Sequence, residues 1–203
     1  MSEDHYFSQE PGSALKPKSI IIPVAGEMVQ VTSASGTFSP TQLDFGTEVL
    51  IDQMELVPES GDLLDLGCGW GPIALNLAKL RPNAKVWAVD VNTRSVELTA
   101  KNAKDLGLSN ITAVVPEQVP ENLVFSGIWS NPPIRIGKKE LHELLLQWLP
   151  RLAVGAEACL VVQKNLGSDS LQKWLTQELA GNYEVSRFTS IKTYRVIKVK
   201  KNS

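Results

Sequence analysis

The chain has 203 residues, 43% hydrophobic and 21% charged, with a net charge of -2. This balance suits one soluble domain and excludes a protein that coats nucleic acid by bulk electrostatics. No apolar run is long enough for a membrane-spanning helix, and the acidic, polar start "MSEDHYFSQE" lacks the apolar stretch of a secretory signal, so a cytoplasmic location is expected.

Residues 1–17 are polar and aperiodic and read as a flexible arm, leaving 18–203 as the domain. Within it, 18–34 reads as a small β-hairpin: "SIIIPV" and "EMVQVTS" flank Ala25-Gly26, with Gly26 supplying the turn. A loop and a helix follow, with Thr47 as candidate N-cap and Val49, Leu50, Met54 and Val57 at helical spacing.

From Gly61 onward, strand-like and helix-like runs alternate. "DLLDLG", "KVWAVDV", "NITAVV", the apolar run before Asn131 and "EACLVVQK" are strands. A helix follows each of them except "NITAVV", the last being "SDSLQKWLTQELAG". Pro150 is placed to interrupt the helix "KKELHELLLQWLPRLA". The last two strands, "YEVSRFTS" and "KTYRVIKVK", share a link too short for a crossover and should form an antiparallel hairpin. The pattern predicts a doubly wound α/β fold with a mostly parallel, seven-stranded sheet.

The strand "DLLDLG" runs through Gly67, Gly69 and Gly71 directly into a helix. Glycines allow positive φ and close approach of backbone to a ligand, and a helix N-terminus offers free N–H groups. Asp65 precedes the turn, and Asp90 ends the next strand about 20 residues on, where an acid can accept from ribose hydroxyls. The third glycine comes one position too early for the dinucleotide fingerprint, which argues against a nicotinamide enzyme.

The segment "LDLGCGWG" resembles motif I of class I S-adenosylmethionine-dependent methyltransferases. The resemblance implies a Rossmann-like fold and S-adenosylmethionine as cofactor. The Gly67, Gly69 and Gly71 backbone would lie against the methionine moiety, Asp65 would orient it, Asp90 would hold the ribose and Glu117 would sit near the adenine. Cys68 and Val91, next to these residues in sequence, complete the candidate cofactor-binding set.

"SNPPIRIGKK" ends the fourth strand of the alternating series, which should lie beside the glycine turn. Asn131 offers an acceptor and donors but no titratable proton, which suits it to hold an amino group rather than to act as a base. If its Oδ1 and the Pro132 carbonyl each accept an N–H, they aim the nitrogen for in-line transfer, and prolines 132 and 133 fix the corner. Asn131, Pro132 and Pro133 are therefore the candidate catalytic residues.

"NPPI" resembles the Asn-Pro-Pro-aromatic motif of amino-group methyltransferases, with Ile134 where those enzymes place a stacking ring. Together with "TFSPTQLDFGT" and "IRIGKKEL", it resembles the compact relatives of the bacterial small-subunit ribosomal-RNA guanine-N2 methyltransferases over roughly residues 20–200. That resemblance implies an RNA partner, with guanine N2 as acceptor. The larger enzymes carry a second, degenerate domain for which 203 residues leave no room. Target recognition would then fall to the hairpin, the catalytic rim or an oligomer partner, and monomer and homodimer both stand. A protein glutamine or a small molecule as acceptor, and a non-catalytic RNA-binding or assembly factor, are the alternatives.

Arg135, Lys138 and Lys139 follow the corner as candidate phosphate contacts, the two lysines equally as the solvated first turn of a helix. Phe38 could cover the cofactor, stack on a flipped base or anchor its loop. Asp44 could meet the methionine end of the cofactor or serve the start of the helix near Thr47. Lys192, Tyr194, Lys198 and Lys200 share one parity and read as the charged face of an edge strand. Cys68 and Cys159 read as buried, inert thiols, too few and wrongly spaced for a disulfide framework or a metal site. His5 and His142 have no ligand-type neighbour in sequence, and no metal is expected.

Overall fold

The computed structural model describes residues 14–54 and 57–203. The predicted arm therefore lies mostly outside the described residues, as does His5. Its last residue, Pro17, already belongs to a strand.

The N-terminal hairpin pairs β1 (Pro17–Val24) with β2 (Glu27–Ala34). Ala25 and Gly26 both have positive φ, 49° and 85°, the backbone of a tight two-residue hairpin turn. Helix α1 (Phe45–Ile51) follows a loop. The main sheet and its helices run β3 (Gly61–Leu66), α2 (Pro72–Leu80), β4 (Ala84–Val89), α3 (Thr93–Asp105), β5 (Ile111–Val114), β6 (Phe125–Ser130), α4 (Lys138–Trp148), β7 (Leu152–Gln163), α5 (Ser168–Glu178), β8 (Tyr183–Ile191) and β9 (Tyr194–Lys201).

The seven strands are ordered β5-β4-β3-β6-β7-β9-β8, parallel except where β9 pairs antiparallel with β7 and with β8. The last four residues of β3 and most of β4 are buried on both faces, as apolar runs covered by helices on two sides must be. One core cluster joins Phe125, Leu145, Trp148 and Leu160 on the α4–α5 face. Another joins Leu50, Leu63, Ile73 and Val161 on the α1–α2 face.

Three details differ from the sequence reading. The N-cap of α1 is Asp44, whose side chain accepts from the Thr47 amide, because the helix begins two residues before Thr47. The C-terminal hairpin turns on Lys192 and Thr193, so its first strand runs one residue further than predicted, to Ile191, and its second begins at Tyr194 rather than Lys192. And β9 is not an edge: it lies between β7 and β8, and its polar face is engaged, with Lys198 paired to Glu157 of β7 at 3.1 Å.

A two-stranded hairpin is not stable alone, and here it is held by two buried asparagines. Asn76 of α2 accepts from Ala25 N and donates to the Pro23 carbonyl. Asn102 of α3 accepts from Thr32 N and donates to the carbonyls of Thr32 and Trp70. Ile22, Val24 and Val31 pack with Trp70 and Leu75 beneath. The hairpin is thereby a further layer over α2 and α3.

Successive strands β3, β4 and β5 run one way across the sheet, and β6 lies on the other side of β3. The winding reverses between β3 and β6, which is where an open α/β sheet leaves a crevice beyond its strand ends. Ser130 at the end of β6 closes this seam by donating to the Leu66 carbonyl at 2.6 Å.

Candidate active site

The turn after β3 is built on positive φ at Gly67 (78°), Gly69 (57°) and Gly71 (98°). At Gly67 and Gly69 a Cβ would meet nothing within 4 Å, so these glycines border open space. Gly71 has a different duty: a Cβ there would meet Thr99 Oγ1 at 2.9 Å, so its absence lets α3 pack against the turn.

Amides of Gly67 and Cys68 both donate to the Val89 carbonyl, stitching the turn to β4. Asp90 completes the frame. Its Oδ2 accepts from Gly69 N at 2.9 Å and its Oδ1 from Asn92 N at 2.9 Å. Burial raises its pKa, and these backbone N–H donors pull it back. The neighbouring Val91 is exposed on the cavity wall. Cys68 is buried, with its thiol pushed well up by burial and by the nearby carboxyls of Asp90 and Asp65, so it packs as a neutral group.

Asp65 lies behind the turn rather than on the cavity wall. It is completely buried, and its Oδ2 accepts from Ala74 N in the first turn of α2 while its Oδ1 is unpartnered. Burial, reinforced by Asp90 and only partly offset by the Ala74 bond, pushes its pKa to about 8.

Across the crevice, Asn131 follows the last residue of β6. Its Nδ2 donates to Asp44 Oδ2 at 2.9 Å and to Thr47 Oγ1 at 3.0 Å. A carboxylate only accepts, so Asp44 fixes which end of the amide faces it. Asn131 Oδ1 is left with no hydrogen-bond partner among the described residues, in a side chain that lines the cavity. Pro133, with φ -74° and ψ 74°, forms an inverse γ-turn in which Ile134 N donates to the Pro132 carbonyl at 2.8 Å. The Pro132 carbonyl is thus already engaged on one lone pair, and only its second remains for a ligand.

Between the two halves lies a cavity of about 740 Å³, within the ~300–1,000 Å³ common for small-molecule sites. Gly67, Cys68, Gly69 and Asp90 line one side and Asn131, Pro132 and Pro133 the other. Phe38, Asp44, Ile134 and Arg135 also line it. Phe38 is 37% exposed, so it is not a buried anchor of its loop. That loop is held down by Trp70 Nε1, which donates to the Phe38 carbonyl at 3.1 Å.

Two further candidates lie outside this cavity. Glu117 is exposed on the 3₁₀ turn Pro116–Gln118, where only Pro116 reaches the wall. Lys138 opens α4 and borders a separate shallow groove with Lys139, His142 and Trp174. Sequence reasoning missed Thr47 as a partner of Asn131, and Gln163 and Tyr194 as wall residues. The polar parity of β9 was the available signal for Tyr194, but its neighbour β7 was not. Among the described residues no cluster of three or more metal-ligand side chains occurs, and no helix is long and apolar enough to cross a membrane.

The family model for the methyltransferase small domain matches residues 28–198. The chain is 36% identical over 204 residues to YbxB of Bacillus subtilis, itself uncharacterized, covering 99% of this chain and 100% of that protein. It is 32% identical over 151 residues to ribosomal RNA small subunit methyltransferase C of Pseudomonas aeruginosa, covering 71% of this chain and 45% of that protein. The chain thus spans less than half the length of this second relative. A solved T. thermophilus 16S rRNA N2 methyltransferase, in complex with AdoMet and guanosine, superposes with a TM-score of 0.76 at 24% identity, covering 95% of this chain and 52% of that one. That likeness establishes the fold.

Proposed function

The chain belongs to the family of methyltransferase small domains, and from that premise we propose that it transfers the methyl of S-adenosylmethionine to the N2 amine of a guanine in ribosomal RNA. The observation that carries the acceptor class is the free Oδ1 of Asn131, whose amide is turned by Asp44 and Thr47 so that an acceptor remains on the cavity wall. The match of 71% of this chain to a ribosomal RNA small subunit methyltransferase C supports the substrate. The proposed catalytic unit is residues 18–203, with 18–34 as its appended hairpin and a cytoplasmic location following from the substrate.

The residues present fit the cofactor. Gly67 and Gly69 leave a cradle that a Cβ would fill, beside a carboxylate, Asp90, held by backbone donors of Gly69, Val91 and Asn92 and lining the cavity as an acceptor for hydroxyls. Gly67, Cys68, Gly69, Asp90 and Val91 would hold it. Asp65 acts through the turn by fixing the start of α2. When bound, S-adenosylmethionine supplies an electrophilic methyl group.

The chain's own contribution is placement. An exocyclic base amine is a weak nucleophile because its lone pair is delocalised into the ring. Asn131 Oδ1 and the second lone pair of the Pro132 carbonyl accept its two N–H bonds, holding the nitrogen in a pyramidal form and supporting the positive charge that develops on it. Neither Asn131 nor the prolines can take up a proton, so after transfer it leaves the nitrogen for water. Arg135 on the cavity rim is positioned for a phosphate of the strand that delivers the base. The base must be unpaired or flipped to enter.

Mass spectrometry of ribosomal nucleosides from cells with and without the protein is the test. Loss of N2-methylguanosine at a single site, restored by the wild type but not by Asn131→Ala, is expected. Restoration by Asn131→Ala would overturn the role of the corner.

A further inference from the structure

Three adjacent strands end on the acceptor side of the cavity. Asn131 follows the last residue of β6, Gln163 is the last residue of β7 and Tyr194 the first of β9. β7 lies between the other two, and Gln163 and Tyr194 are register partners. All three side chains line the cavity, so they form one wall with a fixed left-to-right order.

Each of the three has a hydrogen-bonding atom without a partner among the described residues. Asn131 spends its Nδ2 on Asp44 and Thr47 and offers Oδ1. Gln163 Nε2 lies 3.4 Å from Thr193 Oγ1, an exposed contact that leaves the carbonyl oxygen of this amide for a ligand. The Tyr194 hydroxyl has no hydrogen-bond partner among the described residues. Its pKa is raised by burial and by Asp44, which keeps the phenol protonated and able to donate.

The Tyr194 ring is also rigidly seated. Phe45 meets it edge-on with centroids 5.5 Å apart. Gly46 lies so close that a Cβ there would come within 2.6 Å of the ring. Gly46 sits in α1, which Asp44 caps, so the helix that orients Asn131 also holds this tyrosine.

Across the strands the wall therefore reads acceptor, acceptor, donor. The pairing edge of guanine reads donor at N2, donor at N1 and acceptor at O6. Adenine offers a donor at N6, a lone pair at N1 and a C–H, which would set two lone pairs against each other at the middle position. We infer that Gln163 and Tyr194 are the residues that select guanine at this site, Gln163 Oε1 accepting the N1–H and the Tyr194 hydroxyl donating to O6. This rests on the base-amine reading above and adds to it the residues that set the base.

Binding to the full chain, with S-adenosylhomocysteine present, is measured by fluorescence anisotropy. The probes are short single-stranded pyrimidine RNA oligonucleotides with one guanosine, inosine or adenosine. Inosine keeps N1–H and O6 but lacks the amine, so it reports the Gln163–Tyr194 pair apart from Asn131. Guanosine and inosine probes are expected to bind at least about tenfold more tightly than the adenosine probe, because a wrong base leaves the wall's polar atoms unpaired. Tyr194→Phe and Gln163→Leu should reduce that preference to about twofold or less, and Gln163→Glu, which keeps the acceptor, should retain it. Equal binding of all three probes by the wild type would overturn the inference, as would an unchanged preference in Tyr194→Phe and Gln163→Leu. Methyl transfer to the guanosine probe is scored separately: its absence counts against the acceptor reading, while the inosine-to-adenosine ratio still judges this pair.

Discussion

Asp44 Oδ2 accepts a hydrogen bond from Asn131 Nδ2 at 2.9 Å, joining residues 87 apart in the chain. The same carboxylate oxygen accepts from Thr47 N and so caps α1. One side chain thereby starts a helix and sets the orientation of the amide that would hold the acceptor. Asp44→Ala is expected to lower kcat about 10- to 100-fold by freeing the amide to turn, since small misplacements of reacting groups cost on this scale. It should also cost about 1 kcal/mol of stability through the lost cap. Asp44→Asn keeps an acceptor for both donors and should retain most activity. Steady-state kinetics with the KM for S-adenosylmethionine unchanged in all three proteins would check this.

The glycines of the turn should separate into two classes. Gly69→Ala meets open space in the free protein, so it should fold with a loss of about 1 kcal/mol from its positive φ. Cofactor affinity in that variant should fall by more than about tenfold, because the added methyl occupies the cradle. Gly71→Ala collides with Thr99 instead and should lower thermal stability more strongly than Gly69→Ala. Calorimetry and thermal unfolding on both variants distinguish the two outcomes.

Asp65 makes stability depend on pH. Its pKa of about 8 in the fold lies above the ordinary 3.8. Between those values the folded state binds more protons at this site than the unfolded chain, so its contribution to stability falls as pH rises through that window and levels off above about 8. Asp65→Asn keeps the acceptor for Ala74 N and removes the titration. Urea unfolding should show the variant gaining on the wild type steadily from pH 5 to pH 8. A constant difference across that range would contradict the buried, unpartnered state of the carboxyl.

Asp90 and Glu117 should behave differently although both are acids following successive strands. Asp90 ties the Gly69 amide to the start of α3 from the cavity wall, whereas Glu117 is exposed away from it. Asp90→Ala is expected to weaken S-adenosylmethionine binding at least about tenfold and Glu117→Ala by no more than about twofold, both read by calorimetry.

The parts of the fold that sequence could show were those governed by local pattern. The apolar runs of β3, β4 and β6, the glycine turn and the break at Pro150 all express constraints within a few residues. The site depended on relations that no local pattern carries. Asp65 looks like a cavity acid because it ends a strand, but its side chain turns under the helix that follows. Tyr194 looked like part of a charged edge because parity reveals a polar face without saying which strand lies alongside. Once β9 is inserted between β7 and β8, Tyr194 at its start comes onto the cavity wall. The Asp44–Asn131 contact was the least accessible, since Asp44 has an adequate local use as a cap and nothing in its surroundings announces a partner on β6.

The two asparagine brackets on the N-terminal hairpin bear on where the chain can be cut. The hairpin continues directly into the loop that carries Phe38, and that loop is tied by Asn92 to the Gly36 carbonyl, by Arg94 to the Ser35 carbonyl and by Trp70 to Phe38. A chain shortened to begin after Ala34 would strip the cover from Trp70 and Leu75 and strand the buried amides of Asn76 and Asn102. It would expose the outer faces of α2 and α3 rather than behave as a smaller version of the same protein.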